Sequence, residues 1–234
     1  MNAHPGKPPR RLLGTLTIGQ APRPDITPIL ESCLPPDTDC VHAGVLDGLD
    51  PRQIAQRFAV RDGRPVLVSR LLDGTHVTLD KAAVRQAMQP KLDELEARGC
   101  DAVLVLCTGE FHDLKLSHAW LIEPDRLVPP AVAALAGPRQ VGVIVPLAEQ
   151  AVSEAGKFSV LARPPLCEVA LPYGGDTDAV ARAALALRDR GAEILMLDCM
   201  GFVRAHQRVA REECGLPVLL SNAVVAKLTS ELLA

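Results

Sequence analysis

One segment of this chain is written twice. Residues 98–107 (RGCDAVLVLC) align without a gap on residues 190–199 (RGAEILMLDC). Each copy opens on Arg-Gly, a helix stop, because glycine takes the left-handed conformation of a helix C-terminus at no steric cost. An acidic residue follows, then the unbroken apolar run that a parallel strand covered on both faces requires. Each run closes on a cysteine, one further residue and a glycine: Cys107-Thr108-Gly109 and Cys199-Met200-Gly201. Such a repeat predicts two related α/β halves.

The remaining elements are read around these anchors. Strands are predicted at 12–18, 40–46, 101–106, 140–145, 166–171, 193–197 and 217–221. Helices alternate with them: one after Pro22-Arg23-Pro24-Asp25, a short one opened by Asp50-Pro51, one from the Asp80 cap to about Arg98, and an Ala-rich one begun by Pro129-Pro130. Others follow Pro146, span 177–190, end at Cys214, and finish the chain at Leu233. The fold class is therefore α/β, with two pseudo-symmetric, small, parallel-sheet (Rossmann-like) domains. Residues 58–79 break the alternation. Asp62-Gly63 and Asp73-Gly74 punctuate β-rich runs, the signature of a β-meander inserted in the first half. It would serve as a lid or as the contact of a homodimer. Residues 1–11 are expected to form a flexible tail.

Composition removes several function classes. A net charge of −3, from 25 basic and 28 acidic residues, gives no electrostatic reason to bind nucleic acid or an anionic membrane. Aromatic residues are 3% of the chain, too few for a base-stacking platform. No apolar run is long enough to span a bilayer. Seven cysteines, an odd number with no secretory signal before them, point to the reducing cytoplasm.

In an open parallel sheet, ligands bind beyond the carboxyl ends of the strands, and both copies put a thiol there. A helix starting just after each cysteine would turn free N–H groups toward the sulfur and toward a bound anion. If the halves face each other about a pseudo-twofold axis, Cys107 and Cys199 flank one cleft. A cysteine at a strand end is commonly a small buried hydrophobe. Two at one place of a repeated unit, each followed by glycine, favour function.

The opening Leu16-Thr17-Ile18-Gly19-Gln20-Ala21-Pro22-Arg23-Pro24-Asp25 and the segment Cys107-Thr108-Gly109-Glu110-Phe111 resemble the AroM family, over nearly the whole chain. That family is similar to the aspartate/glutamate/hydantoin racemase superfamily. The resemblance implies two domains with the site between them and no pyridoxal phosphate or other cofactor. It also implies interleaving, with 12–120 plus 217–234 in the first domain and 121–216 in the second. In the implied mechanism one cysteine, as thiolate, removes a proton α to a carbonyl, and the other, as thiol, protonates the opposite face. Glutamate racemase-like enzymes carry Cys-Asn-Thr and Cys-Thr-His. The present Cys-Met-Gly is nearer the hydantoin racemase pattern, so the expected substrate is a small carboxylate other than glutamate. The expected activity is a cofactor-independent racemase or isomerase. The alternatives are a decarboxylase of a malonate-like acid and a non-catalytic carboxylate sensor or carrier.

Cys107 and Cys199 are the candidate catalytic pair. Substrate contacts are expected from Thr17, Gln20 and Arg23 after the first strand, and from Thr108, Glu110, Met200 and the backbone of Gly109 and Gly201. Arg23 either grips a carboxylate bidentately or is a surface arginine between two prolines. Asp198 and Glu110 border the cysteines, as capping carboxylates or as groups that orient a thiol. Ser221 and Asn222 are expected to cap the last helix. No metal is expected, since the compact Cys or His pairings of metal sites do not occur. Gly174-Gly175 lacks the rest of a nucleotide loop.

Overall fold

In the computed structural model, which describes residues 10–234, two four-stranded parallel sheets carry the chain. The first half runs β1 (Arg11–Thr17), α1 (Thr27–Glu31), β2 (Thr38–Gly44), α2 (Pro51–Arg57), a hairpin of β3 (Val66–Arg70) and β4 (His76–Asp80), α3 (Lys81–Ala97), β5 (Ala102–Leu106), β6 (Trp120–Ile122) and α4 (Pro124–Ala136). The second runs β7 (Val141–Val145), α5 (Ala148–Lys157), β8 (Leu166–Val169), α6 (Thr177–Asp189), β9 (Ile194–Leu197), α7 (Arg204–Cys214), β10 (Val218–Leu220) and α8 (Ser221–Leu233). The sheet orders are β2-β1-β5-β6 and β8-β7-β9-β10, one path walked twice. Among the described residues no helix is long and apolar enough to cross a membrane.

The duplication reaches beyond the aligned segment, and its contacts explain the repeated residues. The N–H of Leu12 donates to the Asp101 carboxylate at 2.8 Å, and that of Gln140 donates to Glu193 at 2.8 Å. The acidic residue of each copy thus secures the start of the neighbouring strand. Gly14 in β1 faces Leu95, Cys100 and Val103, while Gly142 in β7 faces their equivalents Leu187, Ala192 and Leu195. A Cβ would stand 3.0 Å from Cys100 Sγ in the first case and 2.7 Å from Leu195 Cδ2 in the second, so glycine sets how closely helix and sheet approach. Gly99 and Gly191 end α3 and α6 at φ 84° and 94°.

Alternation along the strands divides the apolar residues between a central and two outer cores. Leu104 and Leu106 of β5 share the central core with Val143 and Val145 of β7, Met196 of β9, and residues of α4 and α8. Val103 and Val105 face an outer core with α3, and Leu195 and Leu197 face another with α6 and α7. Each such side chain contributes about 1.5–3 kcal/mol on burial, which is why these strands read as unbroken apolar runs.

The structure corrects several expectations. Residues 58–79 form a two-stranded hairpin rather than a meander. Phe58 closes α2, with its N–H on the Ile54 carbonyl, so no strand precedes Asp62-Gly63 and β3 pairs only with β4. Asp73-Gly74 makes the hairpin turn, where the Asp73 carboxylate accepts the Thr75 N–H at 2.8 Å. The strand at 217–221 does not return to the first sheet. β10 pairs with β9, because each half completes its own four-stranded order. Only α8, which follows it, lies against α1 and α4. Helix α4 begins at Pro124, in the first turn, where a missing N–H costs nothing, and not at Pro129. Residues 1–9 of the expected tail lie outside the described residues, and Arg11 already opens β1.

Candidate active site

Cys107 directly follows β5, and Cys199 stands two residues beyond β9. No helix begins at either thiol: the chain after Cys107 is loop as far as β6, and α7 starts only at Arg204. Loop backbone supplies the donors instead. Gly109 N–H points to Cys107 Sγ at 3.4 Å, and Gly201 N–H to Cys199 Sγ at 3.4 Å. The repeat therefore includes the hydrogen bond to each sulfur.

Both thiols line one cavity of about 20 Å³, room for about one water molecule. Thr108, Gly109, Met200 and Gly201 line it with them, as do Pro146 and Gln150 from the second half. Leu67, Val68 and Ser69 of β3 cover it. Burial pushes the Cys107 thiol up to about 11, against the pull of the Gly109 N–H and of Lys157. Burial, and then the facing Cys107, push Cys199 up to about 12. Burial thus favours the neutral thiol at both positions.

Arg23 is neither a free carboxylate grip nor a surface residue. It is buried, and its fork is spent on Asp25, with Nε to Oδ1 at 2.9 Å and Nη2 to Oδ2 at 2.7 Å. Its remaining bonds go to Thr17 Oγ1 at 3.1 Å and to the Tyr173 hydroxyl at 3.2 Å. Arg23 thus lines the cavity as a fixed positive charge, and Thr17 braces it from outside the lining. Gln20 also lies off the cavity. Its amide holds the carbonyls of Leu46 and Leu49, both at 3.4 Å, and accepts the Leu72 N–H at 2.9 Å, tying the hairpin to the sheet. Asn222 does not cap α8. It donates to the carbonyls of Met200 and Phe202 at 3.0 and 2.7 Å and so sets the loop after Cys199.

A cleft of about 550 Å³ adjoins the cavity, and Leu67, Thr108, Gly109 and Gln150 line both. Glu110 faces this cleft rather than the thiols. At its wall the Lys157 ammonium is paired with Asp198 and both are buried. Burial works against the charge of Lys157, but Asp198 and Glu154 outweigh it and hold the ammonium above its ordinary range. Burial, then Asp198, push the Glu154 carboxyl up to about 8. Thr108 Oγ1 donates to the Asp198 carbonyl at 3.2 Å, joining the two cysteine loops across the halves. Lys157, Glu154 and Tyr173 were not legible as site residues. Only Tyr173 carried a signal, as the one tyrosine of the chain, just beyond the carboxyl end of β8.

The model of the AroM protein family matches residues 13–233, almost the whole of this chain. The chain belongs to the AroM family. No curated protein sequence matches this chain. Among solved structures it is similar to allantoin racemase from Pseudomonas fluorescens, with 16% identity and a TM-score of 0.60 over 94% of this chain and 90% of that one. Arylmalonate decarboxylase is similar at 12% identity and a TM-score of 0.60, over 96% of this chain and 93% of that one. Glutamate racemase from Thermus thermophilus is similar at 20% identity and a TM-score of 0.59, over 97% and 82%. The chain thus shares the α/β fold of these solved structures.

Proposed function

We propose that this protein is a cofactor-independent racemase or isomerase of a small carboxylate or related carbonyl compound, with Cys107 and Cys199 as its acid/base pair. The observation that carries the reading is the shared cavity, where thiols from equivalent places in two halves each accept the N–H of the second residue on. One sulfur, as thiolate, takes the proton from the carbon next to the carbonyl. The electron pair moves onto the carbonyl oxygen, and the other thiol delivers its proton to the opposite face. The two cysteines exchange protonation states, and the reverse reaction restores them. Lys157 and then Lys81 favour the thiolate of Cys107, and Arg23 that of Cys199, against the opposing charge of Asp198.

Proton NMR in deuterium oxide tests this with single enantiomers of 2-phenylpropionate, glutamate and allantoin as probes. At least one is expected to exchange its α-proton and lose optical purity. Cys107→Ser and Cys199→Ser should each slow this about 100-fold or more while keeping the fold. Full turnover in either variant would refute the two-base scheme. The likeness to arylmalonate decarboxylase favours a second reading, in which one cysteine protonates the enediolate left by loss of carbon dioxide. Phenylmalonate separates the two, since only the second reading releases gas and needs a single thiol.

A further inference from the structure

The hairpin β3–β4 has no counterpart in the second half, and it closes the cavity between the cysteines. Ser69, within β3, is 0% exposed and lines that cavity. Its backbone lies opposite Val77 in the hairpin, yet its Oγ has no hydrogen-bond partner. A buried hydroxyl left unsatisfied costs stability that an alanine there would not cost. Its position is held by other groups. Gln20 N–H donates to the Arg70 carbonyl at 3.3 Å, and a Cβ on Gly19 would come within 2.5 Å of Ser69 Oγ. The loop after β1 thus presses on the hairpin without using the hydroxyl.

The cavity lining shows what such a group would meet. It holds no aspartate or glutamate, and its one cation, Arg23, is paired with Asp25 behind the lining, whereas Glu110, Glu154 and Asp198 all face the outer cleft. Two other hydroxyls line it: Thr108 donates to the Asp198 carbonyl, while Tyr173 accepts from Arg23, so that of the three only the Ser69 hydroxyl has no partner at all. An inner space with no carboxylate in its lining and a buried hydroxyl that has no partner suits a hydrogen-bond acceptor such as a carboxylate oxygen.

We propose that Ser69 is a substrate-binding residue, whose hydroxyl donates a hydrogen bond to a carboxylate oxygen of the molecule held between Cys107 and Cys199. The assignment rests on the reading of this cavity as the reaction site. With room for about one water, the cavity admits a carboxylate only as the hairpin moves outward, and closure brings Ser69 Oγ onto the ligand.

Alkylation of the full chain by iodoacetate and iodoacetamide tests this without turnover. In both reactions a thiolate displaces iodide, and only the first reagent carries a carboxylate. Peptide mass spectrometry follows Cys107 and Cys199 separately from the other cysteines. The iodoacetate/iodoacetamide rate ratio at these two sites should exceed that of the denatured chain. Ser69→Ala should lower it about tenfold, as loss of a hydrogen bond to a charged group does, and Ser69→Thr should keep it. Ser69→Ala should melt no lower than wild type, a result that a structural hydroxyl would not give. An unchanged ratio in Ser69→Ala, a wild type with no preference for the anion, or a cavity that neither reagent reaches would each overturn the proposal. A ratio that falls as expected in a protein that exchanges no α-proton would leave Ser69 assigned and remove the racemase reading alone.

Discussion

Glu154 and Lys157 lie one helical turn apart on α5 and share the buried carboxylate of Asp198. Glu154 Oε2 and Asp198 Oδ1 have no other partner among the described residues, so a proton held between these carboxyls satisfies both. This has a consequence for stability. Unfolded, Glu154 loses its proton near 4.5; folded, it keeps it to about 8. Between those values the native state binds more protons, so stability falls as pH rises through that window and levels off above it. Glu154→Gln, which keeps the shape without titrating, should gain on wild type as pH rises. Urea midpoints of both proteins at about pH 5 and about pH 9 measure the gap, and a gap that stays constant contradicts the assignment. Single residues were legible where chain position alone marked them. Cys107 and Cys199 stand at one place of a repeat, and Gly109 and Gly201 follow them. Lys157 and Glu154 were not, because in sequence they look like the charged face of an amphipathic helix, and their burial comes from a strand end far along the chain.

The hairpin is the element that most distinguishes the two halves. Its strands, Asp-Gly turn and insertion point were readable from local residue types, but the strand count was not, since Phe58 closes α2 and residues 59–61 form no strand to pair with β3. Nor was its place over the thiols, which depends on Gln20, a residue that the sequence suggested as a ligand contact. Gln20→Ala removes the bonds to Leu46, Leu49 and Leu72 and should loosen the hairpin without disturbing the sheets. Amide protons in β3 and β4 should exchange about tenfold faster, those of β1 and β5 at the wild-type rate. Hydrogen exchange followed by mass spectrometry gives both rates, and an unaltered hairpin would mean that Gln20 does not hold it.

At the scale of the whole molecule, the two sheets share one central core and are also joined across the cleft, by Thr108 to the Asp198 carbonyl and by Arg23 to Tyr173. The halves should therefore unfold together. The single tryptophan, Trp120, belongs to the first sheet, and the single tyrosine, Tyr173, to the second half. Urea transitions followed by Trp120 fluorescence and by Tyr173 circular dichroism should coincide, and Thr108→Val should move both together by about 1–2 kcal/mol. Separate midpoints would show independent halves. By itself the sequence determined the two parallel-sheet halves, the order of their elements and the edge at which both thiols stand, because strand period, helix stops and a repeated segment are properties of neighbouring residues. Tertiary structure alone decided that β10 stays with the second sheet, that Arg23 is committed to Asp25, that Lys157 is buried against Asp198, and that a hairpin hydroxyl is shut in with the two sulfurs. Those outcomes join residues distant in the chain, and they are settled by which surfaces pack and which buried polar groups find partners.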